Sequence, residues 1–130
     1  MDLSNFNEVT RAIREENWNM GANLDNLDAS VSDYANKGVD SYWADCMREV
    51  VEKAALEMLY LIKMCKREKA YEKSDELFRK YQAVSEEDID ANSDAFEAYK
   101  NASDEACDLD AEGEEIKAHF NAQDYHKFME

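Results

Sequence analysis

Residues 41–65, SYWADCMREVVEKAALEMLYLIKMC, decide the fold class of this chain. This is the most apolar stretch of the sequence, and its apolar residues cover more than one face of a helix. The pattern is typical of a helix surrounded by other helices, so we predict a long central helix that begins at Asp40 or Ser41. Residues 66–82 contain no helix breaker, so this helix either continues toward Val84 or bends between residues 66 and 73.

Composition extends the helical prediction to the whole chain. The 130 residues include no proline and three glycines, whereas helix formers such as alanine, glutamate, lysine and leucine are abundant. The predicted fold is all-α: a single domain, residues 1–130, formed by a compact bundle of about five to six helices around the long central one. The other predicted helices cover residues 4 or 5 to 18, 22–35, 86–107 and 114–128, with Gly21, Gly38 and Gly113 at helix ends.

Cysteine usage and hydropathy predict a cytoplasmic protein. Cys46, Cys65 and Cys107 are odd in number and lack a CxxC spacing, so we expect reduced thiols and no disulfide framework. The N-terminal residues include acids and no apolar leader, and no apolar run approaches the roughly 18 residues of a membrane span. We therefore expect no membrane association.

Residues 108–115, DLDAEGEE, begin like the calcium-binding loop of an EF-hand, with acids at loop positions one, three and five and glycine at six. The pattern then fails, because Glu115 and His119 occupy the positions that require an apolar residue and a bidentate glutamate. We predict instead that Gly113 separates two helices and that the acids after it stabilise the first turn of the last helix. Metal binding is not expected.

The sequence contains no recognisable catalytic constellation. His119 and His126 share a helix face, but about 10.5 Å of helical rise separates them, which is too far for one metal ion. There is no phosphate-binding glycine loop and no nucleophile elbow, and neither histidine has a nearby cysteine in sequence. We expect no enzymatic activity and no cofactor.

The charge of the chain is large and unevenly distributed. Its formal net charge at pH 7 is -16, which disfavours direct binding to nucleic acid or to anionic membrane and favours a cationic partner. Residues 85–115 hold thirteen acids against one base, Lys100, a net charge of -12. Residues 63–80 hold seven bases and four acids, a net charge of +3, so pairing between the two segments leaves most of the acidic charge uncompensated.

Most acids of the helix predicted over residues 86–107 and just beyond it fall on one side. At about 100° per residue, six of them occupy an arc of about 100°: Asp90, Asp94, Glu97, Asp104, Glu105 and Asp108. The other half of the helix is apolar and rich in alanine: Ile89, Ala91, Ala95, Phe96, Ala98, Tyr99, Ala102, Ala106 and Cys107. One carboxylate follows another about every 5 Å, the same order as the phosphate spacing of about 3.4 Å along one DNA strand.

In this charge pattern, which extends over 31 residues (85–115) and involves no shared motif, the chain resembles the small acidic proteins that mimic nucleic acid. Many of these are phage inhibitors of restriction or CRISPR systems. The resemblance implies a protein that performs no chemistry and blocks the nucleic-acid-binding surface of a basic partner protein, with DNA and RNA mimicry both open. We predict that the partner-binding residues form an acidic row of nine members: Glu86, Glu87, Asp90, Asp94, Glu97, Asp104, Glu105, Asp108 and Glu112.

Two other interpretations remain open. In the first, the acidic row is only a solvated face, and the chain is a helical assembly or adaptor protein that forms a homodimer through its apolar third helix. In the second, the chain is a chaperone for one basic protein. Six aromatic residues fit an interaction patch or, more commonly at helical spacing, the core: Trp18, Tyr34, Tyr42, Trp43, Tyr60 and Tyr71.

Overall fold

The computed structural model describes residues 1–123, and within them it contains four α-helices and no β-strand. The helices are α1 (Phe6–Glu16), α2 (Trp18–Ala35), α3 (Ser41–Ala83) and α4 (Ile89–Ala122). The all-α prediction is confirmed, and so is the long third helix, which has 43 residues. The prediction of five to six helices is wrong, because α3 continues without interruption and a single α4 replaces the last two predicted helices.

Asparagine residues, and not a glycine, set the boundary between the first two helices. The side chain of Asn5 accepts hydrogen bonds from the backbone N–H groups of Asn7 and Glu8 at the start of α1. Asn17 ends α1 in an extended conformation, and its side chain accepts a hydrogen bond of 3.2 Å from a backbone N–H in the first turn of α2. One residue therefore caps both helices, and the predicted break at Gly21 is wrong.

Gly21 lies inside α2, where this helix contacts α1. It is buried, and a Cβ atom at this position would lie 2.6 Å from the backbone oxygen of Thr10 and 2.7 Å from the backbone nitrogen of Arg14. Only glycine fits this approach without movement of the neighbouring backbone. The close contact between the two helices offsets the cost of about 1 kcal/mol that glycine carries inside a helix.

A small polar cluster links α1 to α2 beside this contact. Thr10 is fully buried, and its hydroxyl donates a hydrogen bond of 2.6 Å to Asp25 of α2. Arg14 forms an ion pair with the same carboxylate, and its guanidinium lies 5.8 Å from the centre of the Trp18 ring. Because a buried hydroxyl requires a hydrogen-bond partner, Asp25 orients α2 on α1.

The turn between α2 and α3 agrees with prediction. Gly38 has a φ of 92°, the left-handed conformation expected of a glycine that follows a helix. The helix α3 then begins at Ser41, and the side chain of Asp40 accepts a hydrogen bond of 2.8 Å from the N–H of Tyr42. Within the described residues, no helix is long and apolar enough to cross a bilayer.

The chain divides into two compact units. Residues 63–114 form a hairpin from the second half of α3 and most of α4. The other unit comprises residues 1–62 and, among the described residues, 115–123, and α1, α3 and α4 contribute its most buried side chains, among them Ile13, Leu59 and Phe120. That the whole chain folds as a single domain stays a prediction.

Two predictions cannot be compared with the structure. The end of the last predicted helix at Phe128 lies outside the described residues, and so does His126. Its proposed helical neighbour His119 lies in α4 and is half-buried beside Glu52 and Leu56 of α3. The prediction that the two histidines are too far apart to share a metal ion therefore rests on their sequence spacing alone.

We predict that Gly21→Ala lowers the free energy of unfolding by about 1–3 kcal/mol, because the added methyl group collides with the backbone of α1. At an exposed helical position without such a neighbour, the same change would raise the free energy of unfolding by about 1 kcal/mol. Urea unfolding followed by far-ultraviolet circular dichroism measures the difference.

Asn23→Ala is the matched control for this substitution, because Asn23 is exposed on the same helix. Its free energy of unfolding should be unchanged or slightly higher, since alanine is the better helix former. A Gly21→Ala protein as stable as the Asn23→Ala protein would show that α1 and α2 do not pack closely at Gly21.

Candidate partner-binding surface

Pairing of α3 with α4 in residues 63–114 holds the acidic segment in place. The buried stripe of α4 in this unit includes Ala102, Ala106 and Leu109, and α3 contributes the buried Ala70 and Ser74. Ala70, Ala106 and Leu109 form one cluster of buried side chains. Small side chains at a helix contact allow a short distance between helix axes, so this composition favours a closely packed hairpin.

The apolar side predicted for α4 is only partly buried. Ala102 and Ala106 are buried as expected, but Ile89 and Phe96 are 78% and 47% exposed, and Cys107 is exposed as well. A helix in a two-helix contact buries a narrow stripe and leaves the flanks of that stripe in solvent. The helical wheel therefore predicts the correct side of α4 but overestimates its buried width.

Basic residues of α3 pair with one end of the acidic segment. The Nζ atom of Lys63 lies 2.9 Å from a carboxylate oxygen of Glu112, and Arg67 donates a hydrogen bond of 2.6 Å to Asp110. The bond to Asp110 raises the pKa of the Arg67 guanidinium above its ordinary value, against the opposing effect of desolvation. The basic and acidic segments thus compensate each other where the hairpin is held by these pairs.

All nine residues of the acidic row are exposed: Glu86, Glu87, Asp90, Asp94, Glu97, Asp104, Glu105, Asp108 and Glu112. The first two lie in the turn before α4, and the other seven lie on α4 itself. Around the helix, Asp90, Asp104 and Asp108 lie about 160° from the buried Ala106 and so point away from α3. Glu112 lies nearer to α3 and pairs with its Lys63. Among residues 1–123, ion pairs reach Glu112 alone of the nine, which leaves eight carboxylates in solvent without a cation.

The start of α4 differs from the prediction by a few residues. The helix begins at Ile89, and Asp88 is its cap, because the Asp88 carboxylate accepts a hydrogen bond of 3.2 Å from the N–H of Ala91. Ser85 instead accepts a hydrogen bond of 3.3 Å from the N–H of Glu87 within the preceding turn. Glu86 and Glu87 therefore precede the positive end of the helix dipole, which favours their negative charge.

Residues 108–115 are helical. They lie within α4, and Gly113 is buried inside this helix, so the predicted break at this glycine is wrong. Asp110 and Glu112 pair with α3, and a continuous helix does not supply the loop oxygens that coordinate calcium in an EF-hand. In the described part of the chain, no group of three or more histidine, cysteine or acidic side chains could hold a metal ion.

Four aromatic rings, here termed the ring cluster, lie on the hairpin between its turn and its middle. Phe78 and Tyr81 belong to α3, and Phe96 and Tyr99 belong to α4. The ring centroids are 5.0 Å apart for Phe78 and Tyr99, and 5.5 Å apart for Tyr81 and Phe96. Phe78 is 38% exposed and Phe96 is 47% exposed, so the ring cluster is partly open to solvent.

Sequence reasoning did not identify the ring cluster as a candidate site. The available signal was one pair of aromatic residues three positions apart in each segment: Phe78 with Tyr81, and Phe96 with Tyr99. Each pair by itself fits an ordinary core stripe. Their meeting across the hairpin depends on the register of α3 against α4, which neither segment determines alone.

We predict that Ala106→Leu lowers the free energy of unfolding by about 1–3 kcal/mol, because Ala106 is completely buried and the extra carbon atoms overpack its contact with Ala70 and Leu109. Ala98→Leu, at an exposed position of the same helix, is the control and should stay within about 0.5 kcal/mol of the wild type. Urea unfolding of both proteins measures the difference. Equal stability would contradict close packing at Ala106.

Comparison with known proteins does not assign this chain to a family. No protein-family model matches it, and neither the curated proteins nor the solved structures contain a significant match.

Proposed function

We propose that this chain is an inhibitor that blocks the nucleic-acid-binding surface of a basic partner protein, in the manner of an anti-restriction or anti-CRISPR protein. The observation that carries the proposal is the acidic row, in which eight of nine exposed carboxylates have no cationic partner among the described residues. From Asp90 to Asp108 the row follows the outer side of α4, and the opposite side of this helix is fixed by packing against α3. Its charges are therefore presented in a constant order along one line.

The linear density of charge suits a surface that normally holds phosphates. Six carboxylates between Asp90 and Asp108 span about 27 Å of helix, one per about 5 Å, compared with one phosphate per about 3.4 Å along a DNA strand. A row of lysine and arginine side chains spaced for phosphates can therefore contact several carboxylates at once. The helix keeps these carboxylates apart at fixed intervals, which limits the entropy lost on binding.

The proposed mechanism requires no bond to be made or broken. The acidic row occupies the basic groove of the partner, and the body of the hairpin excludes nucleic acid from it. Complementary charge accelerates association more than it strengthens the final complex, and salt screens it over about 10 Å at 0.1 M ionic strength. Binding should therefore weaken as the salt concentration rises.

The proposal predicts the result of affinity capture from nuclease-treated native lysate. The wild-type chain should retain a nucleic-acid-binding protein, and added DNA or RNA should release it. A variant with Asp90→Asn, Asp94→Asn, Glu97→Gln, Asp104→Asn and Asp108→Asn should bind the retained protein about tenfold or more weakly, because each lost exposed ion pair is worth about 0.2–1 kcal/mol. Quantitative mass spectrometry identifies the retained protein, and titration with the purified partner measures its affinity.

The matched control neutralises five acids outside the row: Glu15→Gln, Asp28→Asn, Asp33→Asn, Glu49→Gln and Glu72→Gln. Both variants carry the same net charge, so the control separates a local contact from a general effect of charge. Capture should persist in the control. Equal capture by the wild type and the row variant, or retention of proteins that nucleic acid does not displace, would overturn the proposed function.

Assembly through α3 is a second candidate function, favoured by the exposure of apolar side chains on this helix. Trp43, Val50 and Leu61 are 59%, 66% and 52% exposed, and they lie within about 20° of one line along α3. Of the six aromatic residues for which the core was the commoner expectation, five are exposed and only Tyr60 is buried: the exposed ones are Trp18, Tyr34, Tyr42, Trp43 and Tyr71. Apolar surface of this kind is covered in many proteins by a second copy of the chain.

The assembly candidate predicts a mass of twice the 15.0 kDa chain in light scattering, unchanged by high salt. Val50→Glu together with Leu61→Glu should return the mass to that of one chain, because burying a carboxylate in an apolar contact is costly. Leu27→Glu, at an exposed apolar position of α2, is the control. A single-chain mass for the wild type at all concentrations would eliminate this candidate.

A further inference from the structure

We propose that the partner's groove is one that holds single-stranded nucleic acid, in which basic side chains contact phosphates and neighbouring aromatic side chains stack on bases. The ring cluster would then take the place of unstacked bases beside the carboxylates that take the place of phosphates. This inference rests on the proposed function and narrows its partner. The ring cluster would bind a protein surface that carries both cationic and aromatic side chains.

The ring cluster has the geometry of a preformed stacking surface. Each of its rings touches another across or along the hairpin, at centroid distances of 5.0 to 6.4 Å. Aromatic pairs at these distances attract one another, so the rings stabilise one another's positions while Phe78 and Phe96 stay partly open to solvent. A partner ring can therefore stack without first ordering the side chains that receive it.

Exposure of these two phenylalanines is not a requirement of the hairpin contact. The contact itself is filled by small side chains such as Ala70, Ser74 and Ala106, and its buried stripe leaves Phe78 and Phe96 at the flank. Large apolar side chains grouped on a surface are typical of an interaction site.

The ring cluster borders the acidic row. Glu97 follows Phe96 in sequence, so the two side chains lie about 100° apart around α4 and within one turn of each other. Lys100 is exposed at the same border, one turn beyond Phe96, and adds one cation to an edge that is otherwise acidic. Flat apolar rings and a line of negative charge therefore lie side by side on one helix.

This juxtaposition matches a single strand better than a duplex. In a duplex the bases are stacked inside, and proteins contact phosphates and the polar edges of the base pairs. A single strand exposes base faces next to its phosphates, and the grooves that bind it combine basic residues with aromatic side chains. The acidic row alone fits a groove for a duplex and a groove for a single strand. The exposed rings of the ring cluster have aromatic counterparts only in a groove for a single strand.

Two synthetic peptides of equal charge test the inference, one of alternating arginine and tryptophan and the other of alternating arginine and serine. The wild-type chain should bind the arginine–tryptophan peptide about tenfold or more tightly than the arginine–serine peptide, since stacking on one ring supplies a factor of that order. Fluorescence anisotropy with end-labelled peptides measures both affinities. Equal affinities for the two peptides would overturn the inference.

Substitutions in the ring cluster test whether its rings cause the preference for the arginine–tryptophan peptide. The double variant Phe78→Ser and Phe96→Ser should lose most of this preference, while its affinity for the arginine–serine peptide stays the same. Phe78→Leu with Phe96→Leu keeps an apolar side chain at both positions but removes the rings, and should also lose the preference. Tyr42→Ser with Trp43→Ser removes two exposed aromatics of the other unit and serves as the control for general adhesion of tryptophan. A preference lost in this control, or retained in both ring variants, would overturn the inference.

The same titrations separate this inference from the proposed function. If the row variant with five amides binds both peptides as tightly as the wild type does, the acidic row is not a binding surface and the proposed function fails. If the row variant binds both peptides more weakly than the wild type does, and the wild type shows no preference between them, the row binds cations and only the single-strand inference fails.

Discussion

The contact between α3 and α4 in residues 63–114 is the constraint on which the candidate surface depends. It is made by side chains that are mostly small, such as Ala70, Ala102 and Ala106, and it occupies a narrow stripe of α4. Because the stripe is narrow, a large part of α4 remains outside, and the acidic row lies on that part. A wider contact, with leucine in place of alanine, would bury more of the helix and leave less surface for carboxylates.

Hydrophobic composition and the absence of proline were sufficient to predict an all-α fold, but helix boundaries required knowledge of packing. Gly21 and Gly113 were predicted to end helices because glycine is a poor helix former. Both are buried inside helices, and at Gly21 a close approach of α1 accounts for this. The boundary predicted at Gly21 lies at Asn17, whereas no boundary replaces the one predicted at Gly113, because α4 runs from Ile89 to Ala122. The side chains of Asn17 and of Asp88, which precedes α4, cap backbone N–H groups, a signal that is local and was present in the sequence.

Part of the candidate surface can likewise be predicted from one helix alone, and the rest depends on contacts between two segments. Exposure of the acidic row follows from the arrangement of charge along one helix, because carboxylates without partners are stable only in solvent. The pairing of Lys63 with Glu112 and of Arg67 with Asp110 required the two segments to fold back on each other, and the order of their charges made this expectation possible. The ring cluster required in addition the register of the two helices, which no property of one helix determines.

The small side chains of this contact raise the question of how the hairpin keeps its register. Most side chains of this stripe are small and similar in size. A shift of α4 by two turns along α3 would therefore bring similar atoms together. The ion pairs near one end and the aromatic rings toward the other differ from each other and from the stripe between them. After a shift of seven residues in one direction, Arg67 would face Lys117, and in the other it would face Ser103. The ion pairs and the aromatic rings thus fix the register of α4 against α3. The position of each carboxylate of α4 relative to α3 follows from this register.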